Sequence, residues 1–285
     1  MKVKIGLLMV GLMMVGLVVG GCGAVRYDEI SYEFPGWTPE GLIYCQKVVT
    51  HYERKLGGLG IGYVTETLGV DHYYVTMDLN GNNETNLPYS RYPYFSPKGN
   101  YAALINSNKI SIIRRSDNQV IFEYTPTNEG IAGLDWGPDE DRLIYVAGGK
   151  NLFSISYDGS DCRHIVNNCR NAIWANTNLI ILEISSSEGV YLSSISKDGT
   201  DLKIFRYGYD PQITISNKIL YAFGDEVRQI DYDGSNDNLI FSSFNKGPIR
   251  ISPNNNYILG GAAYSSGYSG IWIINIDGSN IRQIK

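Results

Sequence analysis

The last stretch of the chain, residues 270–284, reads GIWIINIDGSNIRQI and decides how the rest of the sequence is interpreted. An apolar run, Ile271–Ile274, leads into the pair Asp277-Gly278, and a second run, Ile281–Ile284, follows. An Asp-Gly pair between two such runs predicts a β-hairpin, because Gly adopts the positive φ of a tight turn and Asp tolerates it. The chain is therefore expected to end in two antiparallel strands.

The same phrase recurs along the chain with a period of roughly forty residues. Its clearest turn residues are Asp158, Gly159, Asp198, Gly199, Asp233, Gly234, Asp277 and Gly278, and weaker copies lie at Asn80-Gly81 and Asp117-Asn118. A second phrase alternates with it. This phrase places a Ser/Thr/Gly-Pro turn between an aromatic or aliphatic residue and an apolar strand, as in Pro93–Ile105 (PYFSPKGNYAALI).

Six copies of each phrase in strict alternation predict an all-β fold, a six-bladed β-propeller of four-stranded antiparallel blades. Each blade is expected to start at its Pro-containing turn phrase and to end after its Asp-Gly phrase. With that phasing the first blade starts near Phe34 and the last ends at Ile284. The ring would then close by side-chain packing between blades six and one, without a strand exchanged across the seam.

The paired phrases resemble the repeat of the TolB-type six-bladed β-propeller, and Pro93–Ile105 and Gly270–Ile284 carry the resemblance best. It extends from Phe34 to the end of the chain. TolB proteins also have an N-terminal α/β domain, for which the short segment between Cys22 and Phe34 leaves no room. The resemblance therefore implies the propeller fold and not the functions of that extra domain.

The N-terminus is typical of a bacterial lipoprotein signal peptide, with Lys2 and Lys4 before an uncharged apolar run that ends in Gly20-Gly21-Cys22. We expect residues 1–21 to be the signal, Cys22 to be lipidated, residues 22–33 to be a lipid-anchored tether and residues 34–285 to be the propeller. An uncleaved anchor helix is the alternative. Both place the chain outside the cytoplasm, and the lipid-anchored form is expected on the cell membrane or the outer membrane, at its periplasmic or surface side. The segment Val25–Glu33 alternates polar and apolar residues and could instead add an outer strand to the last blade.

Three cysteines remain after Cys22. Cys45 lies in an apolar strand and is expected to be a small buried residue. Cys162 and Cys169 are close in sequence, and an exported compartment permits a disulfide between them, but two thiols are equally compatible with the sequence.

Little in the sequence suggests catalysis. It has three His, no CxxC, no Gly-x-Ser-x-Gly elbow and no phosphate-binding glycine pattern, so we predict no metal and no cofactor. Asp231, Asp233 and Asp237 have a spacing that suits Ca²⁺, but Asp233 occupies the turn position of the repeat and is better explained by the turn. The net charge of −5 argues against nucleic acid as a partner.

Two segments interrupt the repeat: Val48–His72 in the first blade, as a long loop or extended hairpin, and Ala262–Gly270 in the last. They could form a binding face or be tolerated insertions. The expected function is a non-catalytic envelope lipoprotein that binds an envelope protein or a cell-wall glycan. The alternative is a metal-dependent hydrolase similar to six-bladed lactonases, with Glu183, Asp210 and Asp225 as candidate ligands in the central channel.

Overall fold

The computed structural model describes residues 24–56, 63–126, 129–242, 248–261 and 270–285. Every regular element in these ranges is a β-strand, and the strands form six four-stranded antiparallel sheets arranged as a six-bladed propeller. The predicted fold is thus confirmed. No helix within the described residues is long and apolar enough to cross a membrane, and residues 1–23, which include Cys22, lie outside these ranges.

Each blade is built from one uninterrupted run of chain, as the phasing of the repeat predicts. Blade one contains β1 (Val25–Trp37), β2 (Ile43–Leu56), β3 (Tyr63–Met77) and β4 (Thr85–Asn86). Blade two contains β5 (Pro93–Phe95), β6 (Tyr101–Asn106), β7 (Lys109–Arg114) and β8 (Gln119–Tyr124). Blade three contains β9 (Ile131–Trp136), β10 (Arg142–Ala147), β11 (Asn151–Ser156) and β12 (Cys162–Asn167).

The second half of the ring repeats this plan. Blade four contains β13 (Cys169–Trp174), β14 (Leu179–Ser185), β15 (Val190–Ser196) and β16 (Lys203–Tyr207). Blade five contains β17 (Tyr209–Ile213), β18 (Lys218–Phe223), β19 (Glu226–Asp231) and β20 (Asn238–Phe241). Blade six contains β21 (Ile249–Ile251), β22 (Tyr257–Gly261), β23 (Ile271–Asn275) and β24 (Arg282–Gln283).

The core is divided into six clusters, and those between neighbouring blades draw their side chains from both. At the seam, Ile43 and Met77 of blade one pack with Leu259, Ile271 and Ile273 of blade six, all nearly inaccessible to water. The predicted closure by side-chain packing is therefore what the structure shows. Because each blade buries both faces of its middle strands, these strands read as continuous apolar runs.

The chain divides into two compact units. The second unit, Tyr32–Gln46 with Tyr74–Lys285, contains the ring. The first unit includes described residues 24–31, 47–56 and 63–73, which are parts of β1, β2 and β3. The segment Val48–His72 is thus mostly strand, in agreement with the extended-hairpin interpretation.

The structure corrects the expected tether. Residues 25–33 belong to β1, which pairs with β2, so the tether prediction is wrong from Val25 onward. The alternative, an outer strand on the last blade, is wrong as well, because β1 is a strand of blade one. The alternation of Val25–Glu33 is the period of a strand with two different faces.

Candidate functional site: the mouth of the central channel

The two faces of the ring carry different connections. Because successive strands are antiparallel, the turns between first and second strands and between third and fourth strands all lie at one face, which we call the turn face. The opposite face carries the connections between second and third strands and between blades. Each innermost strand begins at this second face, which we call the mouth face.

The turn face holds the repeated Asp-Gly pairs. In each of four turns the Asp carboxylate accepts two hydrogen bonds from the Ser or Thr two residues later, one from its amide and one from its hydroxyl, at 2.6–3.1 Å; the acceptors are Asp158, Asp198, Asp233 and Asp277. These bonds lower the pKa of each carboxyl. The Asp side chains therefore stabilise their own turns.

The turn glycines have a second role that the sequence pattern did not indicate. Gly159, Gly199, Gly234 and Gly278 all have positive φ. Each also lies against the outermost strand of the preceding blade, where an added Cβ would come within 3.0 Å of Phe122, Ile165, Phe205 or Phe241. Glycine is thus required here both for the backbone conformation and for the close packing of blades.

An ion pair lies near the mouth face. Arg250 of β21 donates to Asp210 Oδ1 of β17 at 2.7 Å, and Asp210 Oδ2 accepts the backbone N–H of Ile249. Only 13% of the Asp210 side chain is accessible, whereas 36% of the Arg250 side chain is. Asp210 has a φ of 55°, in the left-handed region that Asp tolerates, at an irregularity in the pairing of β17 with β18.

A second buried carboxylate supports this pair. Glu183 Oε1 accepts the backbone N–H of Asp210 at 2.6 Å and an N–H of the Asn171 side chain at 3.3 Å. Burial raises the pKa of Glu183, against the opposing effect of these hydrogen bonds. Two of the ligand candidates predicted from the sequence, Glu183 and Asp210, are therefore neighbours, whereas Asp225 lies in the exposed turn between β18 and β19.

Tyrosine rings form a further part of the mouth. Tyr92 lies 5.2 Å from both Tyr44 and Tyr94, measured between ring centroids, and 6.4 Å from Tyr74. Burial raises the pKa of Tyr94 to about 12, and the Arg250 charge is close enough to oppose that shift. Arg250 acts on the pKa of Tyr44 in the same way. Arg250 thus lies between the carboxylates of blades four and five and the tyrosines of blades one and two.

Further aromatic side chains line the rim of the mouth face. Tyr207 ends β16, Tyr209 begins β17 and Phe223 ends β18, and these three side chains are 40–44% exposed. The hydroxyl of Tyr209 donates to the carbonyl of Gly224 at 2.8 Å, and Tyr207 stacks on Tyr191 with centroids 4.3 Å apart. These contacts fix the rings while leaving part of their surface open to a ligand.

Asp135 of β9 lies in the inner wall of the ring. Its Oδ2 accepts the backbone N–H of Trp174 in blade four at 2.8 Å. Burial raises the pKa of Asp135 to about 6, because the amides of Trp174 and Trp136 and the Arg250 charge only partly offset the loss of solvation. Asp135, Glu183 and Asp210 thus share one role: each carboxylate of one blade holds a backbone amide of the next.

These carboxylates do not fit a divalent metal ion. Asp210 uses both oxygens on Arg250 and Ile249, and Glu183 Oε1 is occupied by two N–H groups. Among the residues that the structure describes, no three His, Cys, Asp or Glu side chains are grouped so that they could hold a metal. A guanidinium next to the carboxylates would also repel a cation.

Cys162 and Cys169 do not form a disulfide. The Cys162 thiol is exposed at the start of β12, 3.4 Å from the hydroxyls of Tyr124 and Tyr145. Cys169 is buried in β13, where burial raises the pKa of its thiol to about 12. Cys45 is buried, as expected. Of the segment Ala262–Gly270, residues 262–269 lie outside the described residues.

Comparisons with known proteins support the fold. A TolB from Acinetobacter baumannii matches with a TM-score of 0.59 and 12% identity, over 90% of this chain and 78% of that one. The chain has a TolB-like propeller fold. An oligogalacturonate lyase in complex with manganese matches with a TM-score of 0.57 and 10% identity, over 95% and 84%. A chain of a nidogen–laminin complex matches with a TM-score of 0.56 and 7% identity, over 90% and 92%. No protein-family model and no curated protein matches the sequence.

At these identities the TolB-like fold is shared by binding proteins and enzymes alike, so the function must be argued from the site. Arg250, Tyr92 and Tyr94 are functional candidates that were not predicted from the sequence. One signal was present: Arg250 is a charged residue between two Ile residues in the turn phrase that begins blade six. Nothing in the sequence indicates that residues from five blades meet there, because they are far apart along the chain.

Proposed function

We propose that this protein is a cell-envelope lipoprotein that acts as a non-catalytic binding module, with a protein segment or a cell-wall glycan as its ligand at the channel mouth. The observation that carries the proposal is the Arg250 guanidinium, which is held in place by Asp210 yet remains 36% accessible next to several tyrosines. A fixed, partly desolvated charge beside aromatic surface is typical of residues that dominate binding energy. The lipoprotein assignment rests on Cys22 and the apolar run before it.

The rim supports the same proposal. Tyrosine offers a broad amphipathic surface with few rotatable bonds, so it binds peptides and sugars at a small entropic cost. Tyr207 and Tyr209 are also immobilised by contacts of their own, which reduces that cost further. The nidogen–laminin neighbour shows that a propeller of this shape occurs in a protein–protein complex.

Retention of envelope components by two Arg variants tests the proposal. Arg250→Gln is compared with Arg114→Gln, which removes an exposed Arg near the turn face that pairs with Asp117. Each protein is immobilised and exposed to detergent-solubilised envelope and, separately, to purified peptidoglycan. We expect Arg250→Gln alone to weaken retention about tenfold or more, as for one lost hydrogen bond to a charged group. Equal retention by both variants, or none by the wild type, would contradict the proposal.

A metal-dependent enzyme is the alternative, favoured by the manganese-containing lyase among the structural neighbours and by the convergence of Glu183 and Asp210. The donor set argues against it, because its oxygens already serve Arg250 and backbone amides. Metal content of protein purified without chelators, with a turnover screen on lactones, esters and oligogalacturonate, distinguishes the two. A stoichiometric metal that Asp210→Asn removes, together with turnover, would replace the binding proposal with the enzyme.

A further inference from the structure

Among the described residues of the first unit, those at one end of its three strands form a surface whose composition suits a membrane interface. We infer that this surface, made of Val25, Arg26, Arg54, Lys55, Tyr63 and Val64, rests on an anionic phospholipid bilayer. We call it the tip. The inference rests on the proposed lipid anchor at Cys22 and adds a second contact between the protein and the same membrane.

Contacts within the unit show that these residues share one end of the sheet. Arg26 Nε bonds Glu53 Oε1 at 3.0 Å, and Asp28 Oδ1 bonds His51 Nδ1 at 2.7 Å, so that Val25 of β1 lies at the same end as Arg54 of β2. The Arg54 guanidinium lies 4.4 Å from the centre of the Tyr63 ring, which brings the start of β3 to that end as well.

The length of chain between the anchor and the sheet limits where this end can lie. Only Gly23 and Ala24 separate Cys22 from Val25. Three residue steps span at most about 11 Å even when fully extended. A lipidated Cys22 sits at the boundary of head groups and acyl chains, so the start of β1 must lie within the head-group region or directly above it.

The side chains at the tip match that environment. Tyr63 is 59% exposed, and Val25 and Val64 are exposed as well. Tyr is enriched at membrane–water interfaces, and Lys and Arg reach lipid phosphates with their charged ends. An exposed group of Tyr, Val, Lys and Arg therefore has the composition of a surface that lies at the head-group level of a membrane.

Charge is distributed unevenly along the sheet, with more positive charge at the tip than farther from it. Three cations at the tip, Arg26, Arg54 and Lys55, are accompanied by two nearby carboxylates, Glu53 and Glu66. Farther from the tip, Asp28 and Asp71 both bond the single His51 ring, and Glu29 lies beside Tyr52. The tip is thus the more positive end, and an anionic surface would attract it in preference to the rest of the sheet.

Two tryptophan substitutions on one strand test the inference. The full-length protein is reconstituted into vesicles of phosphatidylethanolamine and phosphatidylglycerol, with or without lipid brominated near the head group. Tyr63→Trp reports on the tip, and Tyr73→Trp, also exposed, reports on the same strand about 33 Å away. Emission of the wild type is subtracted in each case, because the chain has four native Trp.

We expect brominated lipid to quench the indole of the Tyr63→Trp protein several-fold more than that of the Tyr73→Trp protein, and aqueous acrylamide to show the opposite order. The double variant Arg54→Glu/Lys55→Glu in the Tyr63→Trp background should lose most of the lipid quenching. Equal quenching of both positions by brominated lipid, or unchanged quenching in the double variant, would overturn the inference.

A separate measurement tests whether Cys22 is lipidated. The mass of the N-terminal peptide from membrane-purified protein shows whether Cys22 carries acyl chains. An unmodified Cys22 with lipid quenching at position 63 would overturn the lipoprotein proposal and leave the tip contact standing. An acylated Cys22 with position 63 exposed to water would do the reverse.

Discussion

The turn face and the mouth face of the ring use the same side chain, aspartate, in different ways. At the turn face Asp277 bonds the amide and hydroxyl of Ser279 two residues later, and the arrangement recurs in other blades. At the mouth face Asp210 bonds Ile249 and Arg250, about forty residues away in the next blade. The repeated Asp is a local device for making turns. Asp210, by contrast, joins blades five and six and fixes the Arg250 guanidinium at the mouth face. This side chain therefore contributes to the candidate site as well as to the fold.

Identical substitutions at the two faces should therefore have very different effects. Asp210→Ala removes a largely buried carboxylate, leaves the partly buried Arg250 guanidinium and the Ile249 amide without their acceptor, and places Ala at positive φ. We expect the free energy of unfolding to fall by about 3 to 5 kcal/mol, as for breaking a buried ion pair. Urea unfolding followed by circular dichroism measures this. The control, Asp277→Ala, affects an exposed turn and should shift the curve only slightly. Similar shifts for both variants would contradict the different roles assigned to Asp210 and Asp277.

The glycines of the turn face should tolerate substitution less well than the Asp residues beside them. Gly278 has a φ of 84°, and an added Cβ would lie 2.6 Å from Cβ of Phe241. Gly41 has nearly the same φ, 85°, but an added Cβ would meet no atom within 4 Å. We expect Gly41→Ala to cost about 1 kcal/mol for backbone strain alone and Gly278→Ala about 2 to 3 kcal/mol, because packing between blades is disturbed as well.

Equal thermal destabilisation by Gly278→Ala and Gly41→Ala would show that only the turn conformation matters. Gly278 would then have no part in the packing of blade five against blade six.

The carboxylates that join blades should also give the protein a distinctive pH dependence. The folded-state pKa of Asp135, about 6, lies above the value near 4 of an unfolded Asp. Its contribution to stability is therefore fully present below about pH 4 and is lost as the pH rises through about 6. Asp135→Asn keeps an acceptor for the Trp174 amide without a charge.

We expect Asp135→Asn to be more stable than the wild type by about 2 kcal/mol at pH 7 and nearly equal to it at pH 4. The difference between the two proteins, measured by urea unfolding across this range, isolates Asp135 from other titrating groups. A difference that does not change with pH, or that grows toward low pH, would contradict the assignment.

The first unit also contains a group whose protonation should affect stability, but this group is exposed, whereas Asp135 is buried. His51 bonds Asp28 and Asp71 on the neighbouring strands, and these bonds raise its pKa above 6.5. Both ring nitrogens donate only in the protonated form, so the stabilising effect is present below the unfolded pKa and is lost as the pH rises through the folded one. Because His51 is exposed, we expect its effect on stability to be the smallest of those predicted here.

An NMR titration of the His51 ring should give a pKa above 6.5, and Asp28→Asn should lower it more than Asp71→Asn does, because the bond to Asp28 is the larger cause. A ring that titrates below 6.5 in the wild type would mean that the two carboxylates do not hold it.

Most of the ring could be predicted from the sequence because its repeated features are local. A Ser-Pro-Lys-Gly turn or an Asp-Gly-Ser turn is fixed by residues next to one another, and six pairs in order set the phase of every blade. The tether prediction failed for the same reason: Val25–Glu33 has no repeat phrase, and its strand is defined by pairing with β2. The mouth could not be assembled from sequence, since Glu183, Asp210 and Arg250 come together only through the ring.

The central claim is that ligands bind at the mouth face and not at the turn face. Photocrosslinking in cells tests it directly, with benzoylphenylalanine placed at Tyr207 on the mouth face or at Tyr157 on the turn face; these tyrosines are 42% and 37% exposed. We predict a protein or glycan adduct for position 207 and none for position 157, with the adduct lost when Arg250→Gln is added. An adduct at position 157 alone, or at both positions regardless of Arg250, would contradict the account.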